Sequence, residues 1–228
     1  MFDSIMHWLG FGLCHQLAAR SFTAGGHQLP VCARDTGIYL GFVVSLTLIA
    51  VLDRRRRRSD APPAWIIAIG AVFLLVMAWD GVTSYAGLRE TTNLIRLVTG
   101  VGAGFALPLM VVPILNEQLW VKRTSGRVLG EPVDGLWWLV AAPATVALAW
   151  WVGPLLGAGY ALLTAIAILV TFTTVNLVIV SLVPRFEHRA GRFVHLWPAL
   201  LIALGATIAE LALADAVRLL LLRLVARL

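Results

Sequence analysis

Apolar stretches of bilayer length constrain this chain more than any other feature. A hydrocarbon core of about 30 Å needs roughly 20 apolar residues per helix. Five or six segments qualify, near 36–52, 63–80, 94–115, 135–153, 157–183 and 197–222. With 60% hydrophobic and 13% charged residues and a mean hydropathy of +0.87, the chain lies outside soluble globular composition. The expected fold is all-α: a polytopic transmembrane bundle of five or six spans forming one integral membrane domain over 1–228. MFDSIMHWLGFG is too short to span and reads as a short N-terminal interfacial or re-entrant helix, with Trp8 as its anchor. The first twenty residues carry neither a basic n-region nor a small-residue cleavage site, so no cleaved signal peptide is expected.

Charge placement predicts the orientation. Seventeen Arg and one Lys give a net charge of +6, and they cluster. Arg54 to Arg58 directly follow the first span. Lys122, Arg123 and Arg127, then Arg185, Arg189 and Arg192, fall in the next two loops on the same side. The positive-inside rule makes that side cytoplasmic and gives the Arg run an orienting role only. No basic stripe with interleaved aromatics appears, which excludes nucleic acid and leaves membrane lipid as the expected partner. Arg218, Arg223 and Arg227 fit poorly with a complete sixth span, and an interfacial amphipathic end to the last helix would accommodate them.

In this orientation two polar patches share the external face, Cys14 to Gly41 and Asp80 to Gly100. The first holds both cysteines. Cys14, His15, Cys32 and Asp35 offer two thiolates, an imidazole and a carboxylate, a donor set suited to tetrahedral zinc, with His27 as a substitute ligand. A disulfide between Cys14 and Cys32 is the competing reading, and free or redox-active thiols are a third. The second patch offers cations and hydrogen bonders. For a helix starting near Arg89, residues Arg89, Asn93 and Arg96 share one face. Asp80 is expected to pair with Arg89 or Arg96, and Asp35 with Arg34 or Arg20, because ionisable groups at membrane depth turn inward and pair. With Arg20 and Arg34 they form a candidate oxyanion clamp. In the last span, Glu210 is a candidate proton carrier or hydrogen-bond partner for an Arg of another helix. Asp215 and Arg218 read as a local ion pair. Gly100, Gly102 and Gly104 read as a close helix contact, with Pro108 and Pro113 permitting a kink.

The two patches also carry a recurring pattern. One motif runs Cys-His, Arg-Ser-Phe, then Pro-Val-Cys-Ala-Arg-Cys-Thr-Gly-Ile-Tyr and Gly. It is matched at Cys14, His15, Arg20 to Phe22, Pro30 to Arg34, Thr36 to Tyr39 and Gly41. The other runs Asp-Gly, Gly-Xaa-Arg-Xaa-Ser/Thr-Xaa-Asn, then Arg and Thr-Gly. It is matched at Asp80, Gly81, Gly87, Arg89, Thr91 or Thr92, Asn93, Arg96, Thr99 and Gly100. Over roughly residues 10–105 the chain thus resembles a family of small bacterial and archaeal integral membrane proteins known only as a domain of unknown function; 135–228 resembles generic membrane helices. The family commonly has Cys where this chain has Asp35. Asp replaces a metal ligand but neither a redox thiol nor a disulfide partner, so the exchange leans toward metal binding. The resemblance implies no activity.

Three functions compete. The first is a metal-assisted enzyme acting on an anionic or phosphorylated lipid, with Arg20, Arg34, Arg89 and Arg96 on the anion and Cys14, His15, Cys32 and Asp35 on zinc. The second, close behind, is a non-catalytic subunit docking a membrane-complex partner or cofactor through the same cluster. The third is a transporter using Glu210, Asp80 and Arg96.

Overall fold

A computed structural model of the chain describes residues 1–53 and 56–226; Arg54 and Arg55 of the basic run, and Arg227, lie outside the described residues. Helix α1 (Phe2–Phe11) leads through a 3-10 turn at Ala18–Arg20 into a hairpin of β1 (Ser21–Ala24) and β2 (His27–Cys32). Then follow α2 (Ala33–Leu52), β3 (Arg58–Asp60), α3 (Ala64–Tyr85), α4 (Asn93–Ala106), α5 (Pro108–Leu119), β4 (Thr124–Arg127), α6 (Pro132–Ala147), α7 (Ala158–Ser181) and α8 (Trp197–Val225).

Six segments are long and apolar enough to cross a membrane: α2, α3, α4 with α5 as one segment, α6 continued to Leu156, α7, and Phe193–Val225. The all-α polytopic bundle is therefore the architecture, with six spans rather than five. Pro108 opens α5, and its missing N–H divides the third span from Leu107 onward. The hairpin between α1 and α2 was not foreseen. Its turn is Gly25-Gly26, with φ of +56° and +83°, the pair of left-handed residues that a tight two-residue loop requires.

The centre of the bundle is the crossing of α2 and α4, the most extensive interhelical contact. Gly37 of α2 faces the Leu97 carbonyl and Gly104 of α4 faces the Ile38 carbonyl. A Cβ on either would stand 2.6 or 2.2 Å from that oxygen, so only glycine admits this backbone approach. Ser45 ties in a third helix. Its hydroxyl donates to the Phe105 carbonyl (3.0 Å) and accepts from the indole N–H of fully buried Trp138 on α6 (3.0 Å).

The loops segregate into two ends. At one end Arg58 is buried, and its guanidinium lies 3.6–3.7 Å from the carboxylates of Asp53, Glu131 and Asp134. The guanidinium of Arg57 sits 3.4 Å over the Trp120 ring. The basic run, expected only to orient the chain, thus also closes this end of the bundle.

At the other end the hairpin tip at Gly25 touches Gly157, between α6 and α7. Helix α8 is continuous to this end, which replaces the expected interfacial ending. Asp215 and Arg218 make no ion pair with each other among the described residues. Instead Asp215 Oδ1 accepts the Gly12 N–H (2.6 Å), and Arg218 donates to the carbonyls of Phe11 and Cys14 while lying over the Phe11 ring. Turning both charges onto the chain that crosses α8 satisfies backbone groups that the turn after α1 leaves open.

Candidate functional site

Both polar patches lie at the α1–hairpin end, and they form two adjoining clusters. The first gathers on Cys32, the residue before the first turn of α2. The Cys32 N–H donates to Cys14 Sγ (3.3 Å), and the Cys32 thiol donates to Asp35 Oδ2 (3.3 Å), one helical turn on. One ligand atom from each of Cys14, Cys32 and Asp35 lies within 4.8 Å of the others, all three residues being half-buried. Cys14 is held from several sides. Arg218 takes its carbonyl, and Gln16, at φ +55°, donates to the carbonyls of His7 and Pro30 (2.8 Å each). Gln28 of β2 donates to the Gln16 carbonyl (2.9 Å). The cysteines are not bonded to each other.

The two thiols are electrostatically unequal. A hydrogen bond from the Cys32 side chain holds Cys14 below the ordinary thiol range. The same bond, with burial, pushes Cys32 up. Cys14 is therefore the more acidic thiol of the pair.

The second cluster is built around Asp80 of α3, which has no solvent exposure. It pairs with Arg34 from α2 and with Arg89 from the loop after α3. It also accepts from Thr91 (3.1 Å) and Thr99 (3.4 Å). Arg89 in addition donates to Thr83 Oγ1 (3.0 Å). A buried carboxylate held by two guanidiniums and two hydroxyls is fully compensated, the condition under which a charge tolerates the bundle interior.

Several expected placements differ. Helix α4 begins at Asn93, capped by the Thr92 hydroxyl (3.3 Å to the Ile95 N–H), so Arg89 is not on the α4 face with Asn93 and Arg96. The cap competes successfully for the helix start. Asp80 takes Arg34 and Arg89, not Arg96, and Asp35 takes the Cys32 thiol rather than Arg34 or Arg20 as its hydrogen-bond partner. His15 is exposed and stands outside the thiol–carboxylate cluster. His27 is turned to Asp3 of α1 (2.6 Å).

Arg96 and Arg20 remain. Arg96 is buried, its side chain bonded to Asn93 (3.2 Å), which in turn donates to the Ala19 carbonyl (3.3 Å). Arg20 lies 5.6 Å over the Tyr85 ring. Neither forms an ion pair with a carboxylate among the described residues. Arg20, Arg34, Cys32 and Asp80 all lie within electrostatic range of Arg96, so the second cluster adjoins the first. Glu210 is exposed on α8 and accepts from Asn176 of α7 (3.0 Å), so its partner is an amide and not an arginine. Tyr39, one turn below Asp35, is within electrostatic range of both Asp35 and Glu210.

Comparison with known proteins finds the same region. A family described as "Predicted membrane protein (DUF2085)" matches residues 14–110. An uncharacterised protein of Methanocaldococcus jannaschii is 37% identical over 110 residues, covering 48% of this chain and 68% of that one. The chain belongs to this membrane-protein family. An uncharacterised protein of Methanothermobacter thermautotrophicus is similar too, 32% identical over 98 residues, covering 43% of this chain and 83% of the relative. No solved structure matches.

Within the part matched to DUF2085 fall Cys14, Cys32, Asp35, the Asp80 network, Arg20 and Arg96, and the glycines of the α2–α4 crossing. Helices α6 to α8 lie beyond it, yet α8 supplies Arg218 and Asp215, which anchor the Cys14 segment. Sequence reasoning missed Gln16, Gln28 and Arg218 as positioning residues. Arg218 acts across 204 and 207 residues of chain, which no local spacing announces, and Gln16 and Gln28 act through backbone carbonyls, which carry no residue-type signal. Thr91 and Thr99 were visible as motif positions but carried no assigned role.

Proposed function

We propose that the chain is a metal-assisted membrane enzyme acting on an anionic or phosphorylated lipid headgroup at the external face, with the Arg54–Arg58 end in the cytoplasm. The observation that carries this reading is the convergence of Cys14 Sγ, Cys32 Sγ and an Asp35 oxygen within 4.8 Å. Two thiolates and a carboxylate make a three-ligand set of the kind that leaves a tetrahedral zinc one open position. Zinc bound there would supply a Lewis acid to an oxygen at that position. The Cys that the family resemblance implies where this chain has Asp35 would fit the same role, since a third thiolate serves a metal while an odd thiol serves no disulfide.

The arginines divide. Arg34 and Arg89 neutralise Asp80 and hold α2, α3 and the α3–α4 loop together. Arg20 and Arg96, with no carboxylate partner among the described residues, are the anion-binding pair, oriented by Tyr85 and Asn93. His15 has no place in the ligand set.

A second reading rests on the completeness of the Asp80 network: a non-catalytic subunit whose polar end docks a partner. Elemental analysis of the purified chain with a free-thiol count separates the two. One zinc per chain and two titratable thiols after chelation support the metal-assisted enzyme. A Cys14–Cys32 disulfide without metal defeats it.

A further inference from the structure

The chain between α7 and α8 closes over a cavity of about 460 Å³ at the Arg58 end of the bundle. Its wall divides by chemistry. Leu196, Ala199 and Ile202, on α8 and the turn before it, form an apolar side, while Arg185, Arg189 and His195 are its polar side chains. No carboxylate among the described residues lines it. Ile202 is half exposed on the outer surface of α8, where lipid meets the bundle.

The loop carrying the cations is held in place by the end of α5. The N–H groups of His188 and Ala190, on either side of Arg189, donate to the carbonyls of Gln118 and Leu119 (2.8 and 2.9 Å), and the Val121 N–H returns to the Ala190 carbonyl (3.2 Å). Phe186, next to Arg185, packs into the apolar cluster that includes Leu119, Leu196 and Ala199. Both arginines are thus positioned through the backbone while their side chains stay exposed.

The cations have no anionic partner. Neither Arg185 nor Arg189 makes an ion pair among the described residues. Glu187, the one carboxylate between α7 and α8, is turned to His188 (3.3 Å). The Gly191 N–H donates to His195 Nδ1 (3.2 Å), which puts the proton of the neutral imidazole on Nε2, and no acceptor among the described residues takes that N–H. The first turn of α8, which supplies Ala199 to the wall, adds the positive end of a helix of 29 residues.

We propose that this cavity binds the phosphate of an anionic phospholipid of the phosphatidylglycerol class, taken from the leaflet at this end of the bundle. Arg185 and Arg189 donate to the phosphate oxygens and His195 Nε2 to a phosphate or glycerol oxygen, while the first methylenes of one acyl chain lie along Leu196, Ala199 and Ile202. Charge and shape together select this occupant. A zwitterionic headgroup would bring its own cation among three donors with no carboxylate to receive it. A free phosphate would satisfy the donors but leave the apolar side uncovered. This site is at the other end of the bundle from the Cys14–Asp35 cluster and does not depend on the activity proposed there.

The test uses the full chain in detergent, titrated with mixed micelles of dioleoyl phosphatidylglycerol, phosphatidylcholine or phosphatidylethanolamine. Separate arms use inorganic phosphate and glycerophosphoglycerol, the headgroup without its chains. Native mass spectrometry counts bound lipid, and the thermal unfolding midpoint reads every arm. Phosphatidylglycerol is expected to bind about tenfold more tightly than either zwitterionic lipid, as one charge-assisted hydrogen bond supplies. The two soluble phosphates should leave the midpoint unchanged at matched concentration. Arg185→Gln combined with Arg189→Gln should erase the preference, whereas Arg192→Gln, in the same loop but not in the cavity wall, should keep it. Equal binding of the glycerol and choline lipids, a preference that survives the double change, or an equal loss in Arg192→Gln would each overturn the proposal. A midpoint raised as much by glycerophosphoglycerol as by the lipid would overturn the lipid as its occupant. The comparison of lipids on the unmodified chain decides the headgroup even where a variant fails to fold.

Discussion

Gly100 of α4 stands against the backbone of Arg34 on α2, so close that a Cβ on Gly100 would lie 2.1 Å from the Arg34 carbonyl oxygen. Gly100→Ala must therefore push the two helices apart, because the obstacle is backbone and cannot rotate away. The loss is expected to be at least about 1–3 kcal/mol, as for overpacked cores, and to exceed the gain in helix propensity. Gly205, on α8 with nothing within 4 Å of its Cβ position, is the control. Gly205→Ala should leave unfolding in detergent unchanged or raise the midpoint slightly. Equal effects at the two positions would contradict the tight α2–α4 crossing.

Asp80→Ala leaves Arg34 buried without its counter-charge and Arg89 without its principal acceptor. Breaking a buried pair from one side costs about 3–5 kcal/mol. Arg89→Ala should likewise deplete folded protein, whereas Arg96→Gln, which removes no ion pair, should leave it inserted and folded. Thermal stability of the three variants, measured beside activity, checks this division. A folded, inactive Arg89→Ala would return Arg89 to the anion site.

Cys14 should react with a water-soluble alkylating reagent faster than Cys32 at neutral pH, since the thiol of Cys32 stabilises the Cys14 thiolate. Cys32→Ala removes that donor, so the pH at which Cys14 becomes reactive should move upward and its rate at pH 7 should fall. Peptide mapping of alkylation rates between pH 6 and about 9 provides the measurement.

Burial lifts the Asp53 carboxyl to about 7, with Asp134 raising it further and Arg56 and Asn116 opposing. Arg58, at 3.7 Å, is a further charge facing it. The folded chain thus keeps this proton to a higher pH than the unfolded chain, whose Asp titrates near about 4. The contribution of Asp53 to stability is full below about 4 and is lost as pH rises through about 7. Asp53→Asn should flatten that portion of the stability–pH curve. An unchanged slope between pH 4 and about 7 would show that other groups carry it.

Arg218→Met keeps the apolar length of the side chain and removes both hydrogen bonds to the turn after α1. The Cys14 segment should loosen while α8 remains inserted. Hydrogen exchange at residues 12–16 should rise and zinc uptake should weaken; unchanged exchange there would mean that Gln16 and Gln28 alone hold the loop.

The sequence by itself determined the bundle. Bilayer-length apolar segments set a bundle of five or six helices, because hydrocarbon admits no backbone polar group without an internal partner. Residue type determined that the polar clusters turn inward, and Gly100, Gly102 and Gly104 marked a close helix contact without naming the partner helix. Tertiary structure decided the partners. Asp80 had several arginines in reach of its sequence neighbourhood, and the start of α4 at a Thr92 cap, together with the α2–α4 crossing, selected Arg34 and Arg89. His15 follows Cys14 in sequence yet is exposed to solvent while Cys14 is drawn into the cluster with Cys32 and Asp35. Arg218 looked like half of a local ion pair until α8, crossing the whole bundle, brought it to the Cys14 carbonyl. Local pattern reports what each residue must avoid, chiefly an unpaired charge in lipid. Which partner relieves it depends on contacts between segments far apart in the chain.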